Sequence, residues 1–128
     1  FVAGFFGTPS MNFVAAEVSG SGTDLMASAS GFNLPLAAGA APNAKQIVVG
    51  LRPEGISLTQ QSGDVEIRGA ITSRELLGSE TVLYVDTVAG PLTVRTAADA
   101  SASPGDQIAL WMNPQAVHLF DRASEQRL

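Results

Sequence analysis

The chain has 128 residues, 45% of them hydrophobic, no cysteine and a net charge of −5. This composition suits one globular domain and excludes disulfides, thiolate zinc sites and cysteine nucleophiles. Only Lys45 among its seven basic residues is not an arginine, and an acidic chain with scattered arginines is a poor partner for nucleic-acid phosphates or an anionic membrane surface.

Phe1 to Gly7 reads as the end of a short apolar helix, because Phe1 with Phe5 and Val2 with Phe6 stand one turn apart and Gly7 suits the left-handed position that follows a helix. Thr8, Pro9 and Ser10 then stop it. Beyond that point the periodicity is two, the signature of strands. Ile47, Val49 and Leu51 form one row; Val65, Ile67 and Ile71 form another, with Glu66 and Arg68 on the opposite face. Leu83 to Val88 is apolar on both sides, which suits a strand covered on both faces. Leu92 and Val94 alternate with Thr93 and Arg95, and Ile108, Leu110 and Met112 make a last row. Turn residues cluster at 19–22, 41–43, 61–64, 89–91 and 103–106. The longest apolar runs, such as Leu34 to Ala38, fall far short of the ~20 residues a transmembrane helix needs, and no signal-peptide pattern is present. Many short strands with frequent turns indicate a small all-β barrel or sandwich.

The chain repeats itself. QIVVGLRPEGISL at 46–58 lies over QIALWMNPQAVHL at 107–119 without gaps, at an offset of 61, so that Pro53 matches Pro114. Each unit reads as a strand, a proline-anchored turn and a second strand, since proline cannot donate to a ladder and belongs where the chain leaves the sheet. Gly22 to Asp24 similarly resembles Gly78 to Glu80. The expectation is two related lobes, approximately 11–60 and 64–121, with interleaving allowed.

No reactive constellation is visible. Gly39 to Gln46 loosely resembles a phosphate-binding loop, but Ala44 and Gln46 stand where glycine and a magnesium-binding hydroxyl are required, and a strand follows in place of a helix. Ser19 to Gly22 reads as a hairpin loop. His118 is the only histidine and has no cysteine partners for a metal. No G-x-S-x-G elbow supports a hydrolase triad. Asp64, Glu66, Glu75, Glu80, Asp86, Asp106 and Asp121 fall at turns or outward strand positions. Trp111 is out of phase with the Ile108 row, so it faces away from it, as a packing or ligand-stacking aromatic. The expected catalytic, cofactor and metal residues are therefore none.

Four segments together resemble the C-terminal regulatory region of the ATP-binding subunits of maltose and glycerol-3-phosphate type ABC importers: FVAGFFGTPSMNF at 1–13, VGLRPE at 49–54, ELLGSETVLYV at 75–85 and VHLFD at 117–121. Gly55 stands where family members commonly carry histidine after Arg-Pro-Glu. The resemblance implies an oligonucleotide/oligosaccharide-binding-type (OB-like, or MOP-like) β-barrel of the kind called a TOBE domain. It follows a nucleotide-binding domain that would hold ATP and magnesium and lie before Phe1, in keeping with a chain that opens without methionine. Residues 1–10 would end the linker from that domain and 11–128 would form the barrel. The implied role is non-catalytic: regulation, and homodimerisation that holds the ATPase pair together. Its expected partners are a second copy, its own nucleotide-binding domain, the membrane permease subunits and regulatory proteins, at the cytoplasmic face of the membrane. Interface positions carried over by resemblance are Phe5, Phe6, Met11, Asn12, Arg52, Pro53, Glu54, Gly78 and Glu80. Two alternatives are a barrel sensing a small oxyanion or sugar and, disfavoured by the acidic charge, a nucleic-acid-binding barrel.

Overall fold

The computed structural model describes residues 11–20, 25–36, 45–97 and 101–122. The helix expected at residues 1–7, the glycine-rich segment at 39–44 and part of the 19–22 loop lie outside these residues. Among the described residues there are ten strands: β1 (Asn12–Ser19), β2 (Met26–Ala29), β3 (Phe32–Pro35), β4 (Gln46–Leu51), β5 (Ile56–Ser57), β6 (Val65–Leu77), β7 (Glu80–Thr87), β8 (Gly90–Ala97), β9 (Gln107–Met112) and β10 (His118–Asp121). One-turn 3-10 helices, Pro53–Gly55 and Pro114–Ala116, connect β4 to β5 and β9 to β10. The protein is all-β, as the alternating rows require. Val65, Ile67, Gly69 and Ile71 face inward, whereas Arg68 on the other face is exposed.

The strands form two antiparallel five-stranded sheets in the orders β10-β4-β1-β2-β3 and β5-β9-β6-β7-β8. The two orders are the same once one repeat is laid over the other, with the short last strand of each repeat delivered to the sheet of its partner. Registers match residue by residue: Asn12↔Leu51 corresponds to Val65↔Met112, Met26↔Pro35 to Tyr84↔Thr93, and Gly50↔His118 to Trp111↔Ser57. The proline turn is what carries each last strand across, because it breaks the ladder at the end of β4 and of β9.

One core of buried side chains fills the space between the sheets. Val14, Leu34, Ile47 and Val49 from the first meet Ile67, Ile71, Leu83, Val94 and Leu110 from the second. Fully burying one such side chain stabilises the fold by roughly 1.5–3 kcal/mol. A satellite cluster of Met11, Val48 and Phe120, with Phe13 against it, covers the outer face of β4. For this reason β4 is buried on both faces from Ile47 to Leu51. The expectation that Leu83 to Val88 is covered on both faces is not met. Thr81 to Leu83 are buried, but Tyr84 and Asp86 are exposed and Val88, in the turn after β7, is 73% exposed. β7 has a neighbour at each edge, yet among the described residues no second layer covers its outer face beyond Leu83.

Candidate functional surfaces

The proline turns face each other across a shallow hollow, lined by Leu51, Arg52 and Gly55 from one repeat and by Met112, Asn113 and Ala116 from the other. Pro53 is buried, and Arg52 and Glu54 are exposed on either side of it. The pair at the second turn is neutral: Asn113 caps its own turn by accepting a hydrogen bond from the Gln115 N–H at 2.9 Å.

Asn12 begins β1 and turns its carboxamide inward to join the two sheets. Its Nδ2 donates to the Leu51 carbonyl at 3.1 Å and to the Thr93 carbonyl at 2.8 Å, and its Oδ1 accepts from the Thr93 N–H at 2.8 Å. β8 is an edge strand. A carboxamide carries the same donor and acceptor as a peptide group, so Asn12 supplies one residue of ladder where no strand is available.

β6 departs from the barrel at a defined point. It pairs with β9 only from Val65 to Ala70, a bulge falls between Ile71 and Ser73, and the remainder pairs with β7 alone. At the bulge the Ile71 backbone is taken up by the turn before β9: its N–H donates to the Asp106 carbonyl at 2.9 Å, and the Gly105 N–H donates to its carbonyl at 2.8 Å. A bulge bends and re-aims a strand, and here it releases Thr72 to Leu77 as an exposed arm. Leu76 and Leu77 are 63% and 46% exposed at its tip. Gly78 turns the chain there with a φ of +56°, in the left-handed region. Glu80 opens β7 and pairs with Arg95 at 3.3 Å. On the arm, the Tyr84 hydroxyl donates to Glu75 at 2.9 Å; that hydrogen bond and the carboxylate charge raise the tyrosine above its ordinary value.

Three further carboxylates serve local structure. Asp64 accepts from the Gln61 N–H and Asp106 from the Ser103 N–H, each closing a turn, and Glu66 lies 3.4 Å from Arg68. Among the described residues no three of His, Asp and Glu come together as a metal site, and no helix is long and apolar enough to cross a membrane.

Residues 49–120 match the family model of the TOBE domain. The chain belongs to the TOBE domain family. Residues 7–56 of this TOBE domain also match the MalK OB fold domain, so the two matches divide near the first proline turn. Among curated relatives, the sulfoquinovosyl glycerol transport ATP-binding protein SmoE of Agrobacterium fabrum is 31% identical over the whole chain and 36% of its own length. The ABC transporter ATP-binding protein y4oS of Sinorhizobium fredii is 36% identical over the whole chain and 34% of its own length. The sn-glycerol-3-phosphate import ATP-binding protein UgpC of Escherichia coli is 32% identical over the whole chain and 36% of its length. The TOBE domain thus spans about a third of the relatives it matches. Its fold is similar to that of the cytoplasmic molybdate-binding protein ModG, with a TM-score of 0.63 at 15% identity over 84% of this chain and 94% of that one.

The positions expected at an interface separate in the structure. Met11 is buried in the satellite cluster, Asn12 joins the sheets and Pro53 is buried. Arg52 and Glu54 lie on the turn surface, Gly78 and Glu80 at the tip of the arm, and Phe5 and Phe6 lie outside the described residues. Periodicity gave no reason to single out Leu76, Leu77 or the bulge that exposes them, although Leu76 and Leu77 stand inside the segment that carries the resemblance.

Proposed function

We propose that this TOBE domain is the non-catalytic C-terminal regulatory and dimerisation domain of the ATP-binding subunit of a sugar-type ABC importer. On this reading residues 1–10 end the linker from a nucleotide-binding domain that holds ATP and magnesium and performs hydrolysis. The barrel acts at the cytoplasmic face of the membrane, where it serves a second copy of the subunit, the permease subunits and any regulatory protein.

The observation that carries the reading is the arm. Past the bulge, one edge of β6 has no strand beside it among the described residues, and Leu76 and Leu77 are exposed at its end. An unpaired edge next to exposed leucines is a template for strand addition and apolar contact. Arg52 and Glu54 add an exposed pair of opposite charges, suited to the polar rim of an interface.

Sedimentation of the chain over a concentration series tests this. Reversible association is expected, and Leu76→Glu with Leu77→Glu is expected to abolish it while leaving the melting temperature unchanged, because both side chains are exposed. Association that persists in the double variant would contradict the assignment to the arm. ATP hydrolysis above a buffer blank by the purified chain would contradict the non-catalytic role.

A further inference from the structure

The two repeats are not equally closed. At the first turn Pro53 is buried, the turn packs on β8, and Asn12 holds the β8 edge through both backbone groups of Thr93. By the matched registers, Val65 occupies the place of Asn12 in the second repeat and Pro35 the place of Thr93. Valine has no polar atom to offer and proline has no N–H to give, so this hydrogen bonding cannot form there. No residue of the second turn is buried. Between that turn and the end of β3 a cleft of about 730 Å³ stands open, and Pro35 forms part of its wall.

We propose that this cleft binds a neutral, polyhydroxylated molecule of mono- to disaccharide size. Its volume lies within the range of small-molecule sites, roughly 300–1,000 Å³. None of the nine described residues that line it is charged, so an anion meeting them would lose hydration without an opposite charge in return. Pro35, Leu36 and Val117 give an apolar wall that suits the C–H face of a sugar ring, and Ser62, Asn113 and Gln115 form a polar rim. A hydroxyl and two carboxamides supply both donors and acceptors, which is what sugar hydroxyls require. The Asn113 carboxamide is fixed through its Oδ1 by the Gln115 N–H. The corresponding positions of the first turn are Arg52 and Glu54, so the repeat carries charges where its cleft is closed and carboxamides where it is open.

This goes beyond the dimerisation reading and uses no residue of the arm. The test is an NMR titration of ¹⁵N-labelled chain with glucose, maltose and glycerol, and separately with molybdate and glycerol 3-phosphate. Saturable shifts are expected at the amides of Gly63, Gln115 and Val117 with at least one neutral probe. Ser62→Trp, on an exposed turn, is expected to weaken that binding about tenfold or more, and Gln115→Trp supplies the same obstruction from the opposite rim. No saturable shift with any neutral probe would overturn the proposal. So would an anion that moves the same amides more strongly, or neutral binding that survives both substitutions. Sedimentation of the titrated samples separates the two readings: a monomer that still binds sugar contradicts only dimerisation.

Discussion

Replacing Asn12 by alanine probes the junction between the sheets. The substitution deletes one donor to the Leu51 carbonyl and a reciprocal pair with Thr93, three hydrogen bonds of 2.8–3.1 Å. At roughly 0.5–1.5 kcal/mol each, and with Thr93 left on an edge strand that water reaches in part, the expected loss is about 2–4 kcal/mol. Urea unfolding followed by the fluorescence of Trp111, the single tryptophan, reads this directly. With a slope of roughly 1–3 kcal/mol/M, the midpoint is expected to fall by about 1–2 M at unchanged slope. Asn12→Asp keeps the acceptor for the Thr93 N–H but sets a carboxylate against two carbonyl oxygens, so it is expected to be at least as damaging at neutral pH. An alanine variant within about 0.5 kcal/mol of the parent, which is the scatter of surface substitutions, would show that the carboxamide does not join the sheets. An aspartate variant of parental stability would show the same.

Gly69 pairs with Thr87 where β6 lies beside β7, and a Cβ there would stand 2.5 Å from the Asp86 carbonyl oxygen and 2.7 Å from Val85 Cγ1; Gly69→Ala is expected to cost about 1–3 kcal/mol through overpacking, and a neutral result in the same urea assay would contradict the register of these strands. Tyr84 is the single tyrosine, so its ionisation can be followed by ultraviolet absorbance, and Glu75→Gln is expected to lower its pKa toward the ordinary value by removing the carboxylate charge. Because the folded pKa is raised, the contact contributes fully below the unfolded value of about 10 and is lost as pH rises through the folded one. The stability difference between parent and variant is therefore expected to shrink only in strongly alkaline solution, and superimposable titrations of the two proteins would contradict the contact.

Much of the fold was legible because inward and outward residues alternate. The rows at 47–51, 65–71, 92–94 and 108–112 are all on strands whose inward residues meet in the core. β2 and β3 escaped notice, since MASA and FNLP are four residues each and a strand that short offers at most two inward side chains, as Phe32 and Leu34 on β3, too few to show a row; Pro35 is tolerated because β3 is an edge. The 61-residue repeat located both proline turns, but similarity between segments cannot say which strand pairs with which, and the exchange of β5 and β10 became visible only in the sheets. Local apolar content likewise misled at β7, because it reports what a strand could bury and not whether another layer lies over it. The arm depends on one extra residue at the bulge, beyond the reach of a period-two pattern. The open cleft depends on the substitution of Asn12 and Thr93 by Val65 and Pro35, which lie outside the part of the repeat that aligns without gaps.

The exchange of last strands joins the two repeats into one barrel, and the arm and the cleft are the places where the repeats then differ. Interstrand backbone NOEs in the ¹⁵N-labelled chain examine it most directly. Contacts of Gly50 with His118 and of Ser57 with Trp111 are expected, matching the observed registers. Contacts of β4 with β5 and of β9 with β10, each folded back as a hairpin within its own repeat, would contradict it.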